Sequence, residues 1–302
     1  MVKRGGTPKV EEREARLIFL GTGGGRLTSF RQTRASGGLW LEAGETRIHV
    51  DPGPEALTRV LKRNLDPTKL SAIVLTHRHL DHCADINVMI EAMSEGGNHP
   101  NGALYVPSDA LEGYDPVVYH YLRRFVPHIA TLDENSHIAI GPFSIRTLAR
   151  YPHGIGPAKV DTFRLMYECK TPGMAQPTRI AHFVDGKHAK GAEAANGCDI
   201  AIIHCLLPQS RPEIDHLSPD ETREIIRIAR PKKVIITHFG MAMLAPVKPS
   251  EGGASKGSTI VALEIADRLS QEAGVEVIPA WDNLRIDLTT SAIARRRPTG
   301  GD

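Results

Sequence analysis

Residues 71–86 read SAIVLTHRHLDHCADI, and this stretch decides the fold. The run from Ser71 to His77 is short and apolar, which predicts a buried strand ending on an imidazole. His77 and His79 are two apart, so extended backbone directs both side chains the same way. Asp81 and His82 follow on the turn into a helix predicted over 85–95, whose apolar positions Ile86, Met89, Ile90 and Met93 fall at helical spacing. Imidazole and carboxylate together suit zinc, iron or manganese. Exposed histidines in an ordinary turn would not be packed this densely behind an apolar strand. A catalytic metal needs about three protein ligands and an open position, so the stretch is only part of a site.

Outward from it, strand and helix patterns alternate. Strands are predicted over 16–21, 37–43 and 46–51, and a helix over 55–64. Between Phe143 and Cys205 lie four more strand patterns, FSIRTLA, FRLMYEC, TRIAHFVD and DIAIIHC. A helix over 218–230 has Ser218 as its N-cap, Pro219 in its first turn and acids behind it. KKVIITH (232–238) reads as a strand, 258–274 as a helix closed by Gly274, and VEVIPAW and LRIDL as the last strands. The pattern predicts an α/β fold, two sheets packed face to face with helices outside, an αββα sandwich in a single domain over 15–290.

Further ligands are expected at other carboxy-terminal strand ends, where α/β proteins place their sites. FSIRTLARYPH ends on His153, TRIAHFVD on Asp185 and KKVIITH on His238. His137 precedes its strand and Asp199 begins one, so both are expected at the wrong edge.

Bulk properties narrow the classes. The chain has 302 residues, of which 37 are Lys or Arg and 35 are Asp or Glu, a net charge of +2. That balance gives no electrostatic case for nucleic acid, although the arginines of the tail could form a local patch. No signal peptide or membrane-length apolar run is read, and the four cysteines form no C-x-x-C pair, so reduced thiols and a cytoplasmic location are expected. Residues 1–14 are expected to be disordered and 291–302 to form a flexible basic tail. Gly21, Gly23, Gly24 and Gly25 do not make a dinucleotide loop, because Arg26 occupies the place of the last glycine of that fingerprint.

Over about residues 16–290 the sequence resembles the metallo-β-lactamase superfamily of metal-dependent hydrolases. The resemblance rests on the His-x-His-x-Asp-His stretch and on the order of the later single residues. It implies the same αββα sandwich and a binuclear site: His77, His79 and His153 on one ion, Asp81, His82 and His238 on the other, and Asp185 bridging. It gives Asp51, in HVDPGP, the role of orienting a ligand histidine. The opening LGTGGGRLTSFRQTRASGG resembles the branch of ribonuclease Z and related phosphodiesterases. DHLSPDE resembles that branch's His-x-Thr element and makes His216 a candidate proton donor to the leaving group, although the glutamate partner of that histidine in ribonuclease Z is lacking.

DPGPEAL departs from the pattern of the tRNA-processing enzymes, and no tRNA-clasping insertion is present. The resemblance therefore implies a hydrolase with two divalent ions, most simply Zn2+, with Mn2+ or Fe2+ as alternatives. The expected substrate is a small or cyclic phosphodiester attacked by a metal-bridging hydroxide that Asp81 orients. A carboxylic hydrolase (lactonase, thioesterase or β-lactamase-like) is the alternative; tRNA precursors or a non-catalytic binding role rank lower. No membrane partner is expected, and a homodimer is implied by resemblance alone. Arg31, Arg34, Lys159 and Lys187 are the candidate phosphate contacts.

Overall fold

A computed structural model describes residues 15–244 and 260–293. The expectations for residues 1–14 and for the tail beyond Ile293 lie outside the described residues. Strands β1 (Arg16–Phe19), β2 (Leu39–Ala43), β3 (Thr46–Val50), β4 (Ala72–Val74), β5 (Ala103–Val106) and β6 (His128–Thr131) lie in the first sheet. Strands β7 (His137–Ile140), β8 (Phe143–His153), β9 (Val160–Cys169), β10 (Thr178–Phe183), β11 (Ile200–His204), β12 (Lys233–Thr237) and β13 (Val277–Pro279) form the second. β14 (Arg285–Asp287) returns to the first sheet beside β1. Each sheet has seven strands, ordered β14-β1-β2-β3-β4-β5-β6 and β13-β12-β11-β10-β9-β8-β7.

The two sheets repeat one plan. In each, antiparallel strands come first and a parallel run follows: β3 to β6 in the first sheet, β10 to β13 in the second. Parallel strands need crossover connections, and helices supply several of them. Outside the first sheet lie α1 (Gly25–Arg31), α2 (Ala56–Lys62), α3 (Leu80–Cys83), α4 (Ile86–Met93) and the short α5 (Ser108–Leu111) and α6 (His120–Arg123). Outside the second lie α7 (Pro219–Ala229) and α8 (Ile260–Ala273). Three apolar cores result. Leu17, Phe19, Ile145, Leu165, Ile202 and Ile235 pack between the sheets. Ile73, Ile86, Met89 and Ile90 pack beneath the outer helices of the first sheet, and Ala201, Ile203, Ile225 and Leu269 beneath those of the second. This is the αββα sandwich expected from the alternation.

Strand alternation fixes what faces what. Ile180 and Ile202 point into the inter-sheet core while Ala181 and Ala201 point to the helices. His182 and His204 share the inward face by their period of two. The α7 start is set by a capping box: Asp220 N–H donates to Ser218 Oγ at 3.2 Å and Ser218 N–H to Glu221 Oε2 at 2.9 Å. That cap holds the loop carrying His216. No helix among the described residues is long and apolar enough to cross a membrane.

One strand is shorter than its apolar run predicts. β4 stops at Val74, three residues before His77. The cause is Asp51, whose two carboxylate oxygens accept from Thr76 N–H and Thr76 Oγ–H, each at 2.7 Å. That grip lifts the chain off the sheet and turns it towards α3.

Candidate metal centre

The site is assembled at the carboxy-terminal ends of β3, β4, β8, β10, β11 and β12. His77 and His79 lie on the loop after β4, with His79 the residue before α3. Asp81 and His82 are in α3 itself. His153 ends β8, and Asp185 and His238 follow β10 and β12. These residues fall into two groups able to hold a cation. One contains His77, His79, His153 and Asp185; the other contains His82, Asp185, His204 and His238, with ligand atoms in each group all within 4.8 Å. Asp185 belongs to both.

Asp185 divides its carboxylate between tasks. Its Oδ2 lies 3.7 Å from His77 Nε2, 3.7 Å from His153 Nε2, 3.5 Å from His82 Nε2 and 3.4 Å from His216 Nδ1. Its Oδ1 lies 3.0 Å from His204 Nδ1 and 3.3 Å from His238 Nδ1. Burial works to raise this carboxyl, but His238, His216 and His204 outweigh it and hold the group well below the usual carboxylate range.

The outer atoms of these imidazoles are held. His79 Nε2–H donates to the Ala158 carbonyl at 2.8 Å, which leaves Nδ1 for the site. His153 Nδ1 is 3.0 Å from Asp215 Oδ2 and His82 Nδ1 is 3.0 Å from Asp51 Oδ2. A carboxylate behind an imidazole fixes its tautomer and ring plane. Asp215 is itself fixed by the amides of Gly154 and Lys187. Asp51 and His238 both take left-handed backbone, φ 54° and φ 60°, a conformation that costs energy in a non-glycine residue and recurs at functional sites.

The glycine run has a structural reason. Gly24 lies so close to His238 that a Cβ there would stand 2.2 Å from the imidazole. Gly25, with φ +73°, aims its amide at Asp81 Oδ2, 2.7 Å away. Asp81 in turn lies 3.3 Å from His238 Nε2 and 3.8 Å from His82 Nε2. Burial would raise the Asp81 carboxyl, but His82 and His238 lower it.

The donor set fits a cation. His77 Nε2, His153 Nε2 and Asp185 Oδ2 are buried, face one another and have no hydrogen-bond partner. Leaving such atoms unpaired is costly unless something else satisfies them. A small cavity of about 30 Å³ lies among Asp81, His82, His204 and His238, enough for an occupant of atomic size. Burial, with His82 next, keeps the His77 imidazole neutral, the form that can donate a lone pair.

Residues 46–239 match the Beta-lactamase superfamily domain. The chain belongs to this superfamily. It is 27% identical over 280 residues to the uncharacterized protein MJ1374 of Methanocaldococcus jannaschii, covering 90% of this chain and 94% of that one. It is 31% identical over 96 residues to a ribonuclease Z of Kineococcus radiotolerans, 32% of this chain and 30% of that protein. In three dimensions it resembles YhfI of Bacillus subtilis, a metallo-β-lactamase fold protein, with a TM-score of 0.64 at 18% identity over 90% of this chain and 98% of that one. It also resembles a diphosphatase of the PhnP family, with a TM-score of 0.58 at 16% identity over 90% and 96%. The superfamily fold is typically that of metal-dependent hydrolases, and ribonuclease Z is a distant relative of this member.

The structure brings His77, His79, Asp81, His82, His153, Asp185, His216 and His238 together and sets Asp51 behind His82. His137 is exposed and pairs with Ser144, while Asp199 pairs with Lys232 and the Arg179 amide, away from the cluster. Four contributors were not anticipated. His204 ends β11 as His238 follows β12, but it reads as an interruption of an apolar run. Asp215 stands beside His216 with no spacing to mark it. Arg164 and Tyr151 look like ordinary strand residues, yet Arg164 is fully buried between the Tyr151 and Phe183 rings. Its guanidinium donates to the carbonyls of Gly186 and Lys190 at 2.9 Å and to that of His188, and the Tyr151 hydroxyl donates to the Asp185 carbonyl. Together they clamp the loop that carries Asp185. The four cysteines are free and buried.

Proposed function

We propose that this superfamily member is a binuclear metal-dependent phosphodiesterase acting on a small or cyclic phosphodiester. The observation that carries the reading is Asp185, a single buried carboxylate common to two groups of imidazoles whose inward atoms lack partners. His77, His79 and His153 would hold one divalent ion, His82, His238 and Asp81 the other, and Asp185 would bridge. Two such ions, zinc in the simplest case, would acidify a water and polarise a phosphoryl oxygen.

The chain's own residues do the rest. Asp51 and Asp215 keep His82 and His153 in the required tautomers. Asp81 Oδ2, anchored by the Gly25 amide, can accept a hydrogen bond from the attacking group. His216 faces the shared carboxylate and keeps partial contact with solvent. Burial works against its protonation, but Asp185 outweighs burial and raises it above the ordinary histidine value. In this reading its imidazole would supply the proton to the departing oxygen. Two relatives hydrolyse phosphorus esters or anhydrides by name, ribonuclease Z and the diphosphatase, and they favour phosphate as the reacting group.

A second reading, a carboxylic hydrolase, is favoured by one observation. Arg34 is engaged with Thr22 and Asp282, and Lys187 with the Arg211 carbonyl, so two of the four cations expected to meet phosphate are already committed. The deciding experiment loads the purified chain with zinc or manganese, counts metal per chain, and assays bis-p-nitrophenyl phosphate against ester and lactone panels. Two ions and phosphodiester turnover are expected. Lactone turnover with no phosphodiester cleavage would establish the second reading instead, and one ion in a replete sample would remove the bridging role of Asp185.

A further inference from the structure

A polar chain leaves the shared carboxylate and runs down into the apolar core between the sheets. Asp185 Oδ1 is 3.0 Å from His204 Nδ1, His204 Nε2 is 3.0 Å from His182 Nε2, and His182 Nδ1 is 3.4 Å from the Tyr167 hydroxyl. All four residues are buried, none more than 6% exposed. Strand geometry builds this path. β10 and β11 run in parallel, with His182 opposite Ile202, so the inward-facing positions 182 and 204 come together, and Tyr167 of β9 lies opposite Ile180, two residues before His182.

Hydrogen-bond direction follows from the end of the chain. The ionised carboxylate can only accept, so His204 Nδ1 must carry the proton. A neutral His204 then accepts at Nε2, so His182 must donate from its own Nε2. His182 Nδ1 is left to accept from the Tyr167 hydroxyl. Every contact then has one donor and one acceptor. Burial keeps the His182 imidazole neutral and the Tyr167 phenol protonated, in keeping with this arrangement.

His204 also stands in the group of residues around the second cation position. Its nitrogens nevertheless differ from those of His77 and His153. Their inward Nε2 atoms have no partner, whereas both nitrogens of His204 are occupied, one by Asp185 and one by His182.

We propose that Tyr167, His182 and His204 are positioning residues that orient the bridging carboxylate from behind, holding Oδ1 so that Oδ2 faces both cation positions. His204 acts through Asp185 and is not itself a ligand. This rests on the binuclear reading, and it predicts that metal affinity depends on one particular nitrogen of each histidine.

The amide of asparagine can take the place of His Nδ1–H, and that of glutamine the place of Nε2–H. Competition of the full-length chain against a chelator for zinc, with Co2+ absorption reporting the ligand set, is therefore measured for H204N, H204Q, H204A, H182Q and H182L. Thermal unfolding of each metal-free variant checks that it folds. H204N and H182Q should bind within a few-fold of wild type, and H204Q, H204A and H182L about 10–100-fold more weakly, as loss of an outer partner does. Loss of one ion in H204N and H204A alike, with H182L unaffected, would overturn the proposal and make His204 a ligand. Equal affinity throughout would make the chain a bystander and overturn it as well. A wild type that holds no metal would sink the binuclear reading and this one together; a wild type that binds while the variants are indifferent sinks this one alone.

Discussion

The two groups able to hold a cation share a carboxylate but are built differently. Around the first, each imidazole has an outer partner from the framework: Thr76 Oγ for His77 at 3.2 Å, the Ala158 carbonyl for His79 and Asp215 for His153. Around the second, Asp51 and His238 both sit in left-handed backbone, and His238 Nδ1 is a buried atom with no hydrogen bond. The second position leans on the glycine loop, with Gly24 against the His238 ring and the Gly25 amide on Asp81. Both groups have hydrogen bonds behind them, Asp51 behind His82 among them, but the second leans further on close packing and left-handed turns. The second should therefore be the easier to lose. The largest effect erases the distinction. Asp185→Asn removes the shared charge, so metal analysis should find both ions weakened, by more than the 10–100-fold typical of an outer partner. Retention of two tightly held ions would disprove the sharing.

That asymmetry also separates what could be read from sequence from what could not. His77 to His82 form a local string, and a local string carries its own geometry. His153, Asp185 and His238 could be found because a strand that ends on a ligand type is a repeated sign. His204 carries the same sign at the end of DIAIIHC, yet nothing in the residues distinguishes a ligand from an orienting partner. That distinction depends on His182 and Asp185, which only the parallel pairing of β10 and β11 brings within reach. Asp215 meets His153 across 62 positions of sequence, and Arg164 meets the 184–190 loop through backbone carbonyls, which have no residue signature. The sandwich itself was readable from alternating patterns. β5, β6 and β7 were not read. α1 was hidden by the glycines that precede it.

The outer carboxylates offer a sharper test of the two positions. Asp215→Asn should weaken the first ion alone, by about 10–100-fold, whereas Asp51→Asn should weaken the second most and the first to a lesser degree, because Asp51 also anchors Thr76 beside His77. Site-resolved titration with Co2+ would check this. Equal loss of both ions in either variant would mean that the two positions behave as one, and the comparison fails. Gly24→Ala should act more gently and on one side only. A methyl group in a filled space costs about 1–3 kcal/mol of stability, and here it must displace the His238 ring. The expected result is a lower urea midpoint and a less-than-tenfold loss at the second position, with the first unchanged.

The smallest effect concerns pH, and it again singles out the second side. His49, on β3 two residues before Asp51, is fully buried against Trp40 and donates its Nε2–H to the Gly37 carbonyl at 2.8 Å. Burial lowers it to about 4, with the Gly37 bond and Asp51 opposing. A histidine depressed in the folded state contributes stability that is complete above its unfolded value near 6.5 and is lost as pH falls towards 4, because the unfolded chain binds the proton first. Between pH 7 and 6 the loss is about 0.7 kcal/mol. His82 has the opposite sign. Burial works to lower it, but Asp81, Asp185 and Asp51 raise it well above 6.5, so its contribution is present at low pH and fades as pH rises through the folded value. Urea unfolding of the metal-free chain at pH 7 and 6 can separate the two. Glutamine at position 49 keeps a donor for Gly37 but cannot titrate, so His49→Gln should lose about 0.7 kcal/mol less than wild type over that interval. An identical pH dependence in the two proteins would mean that His49 is protonated as readily when folded as when unfolded, and that its burial against Trp40 carries no electrostatic cost.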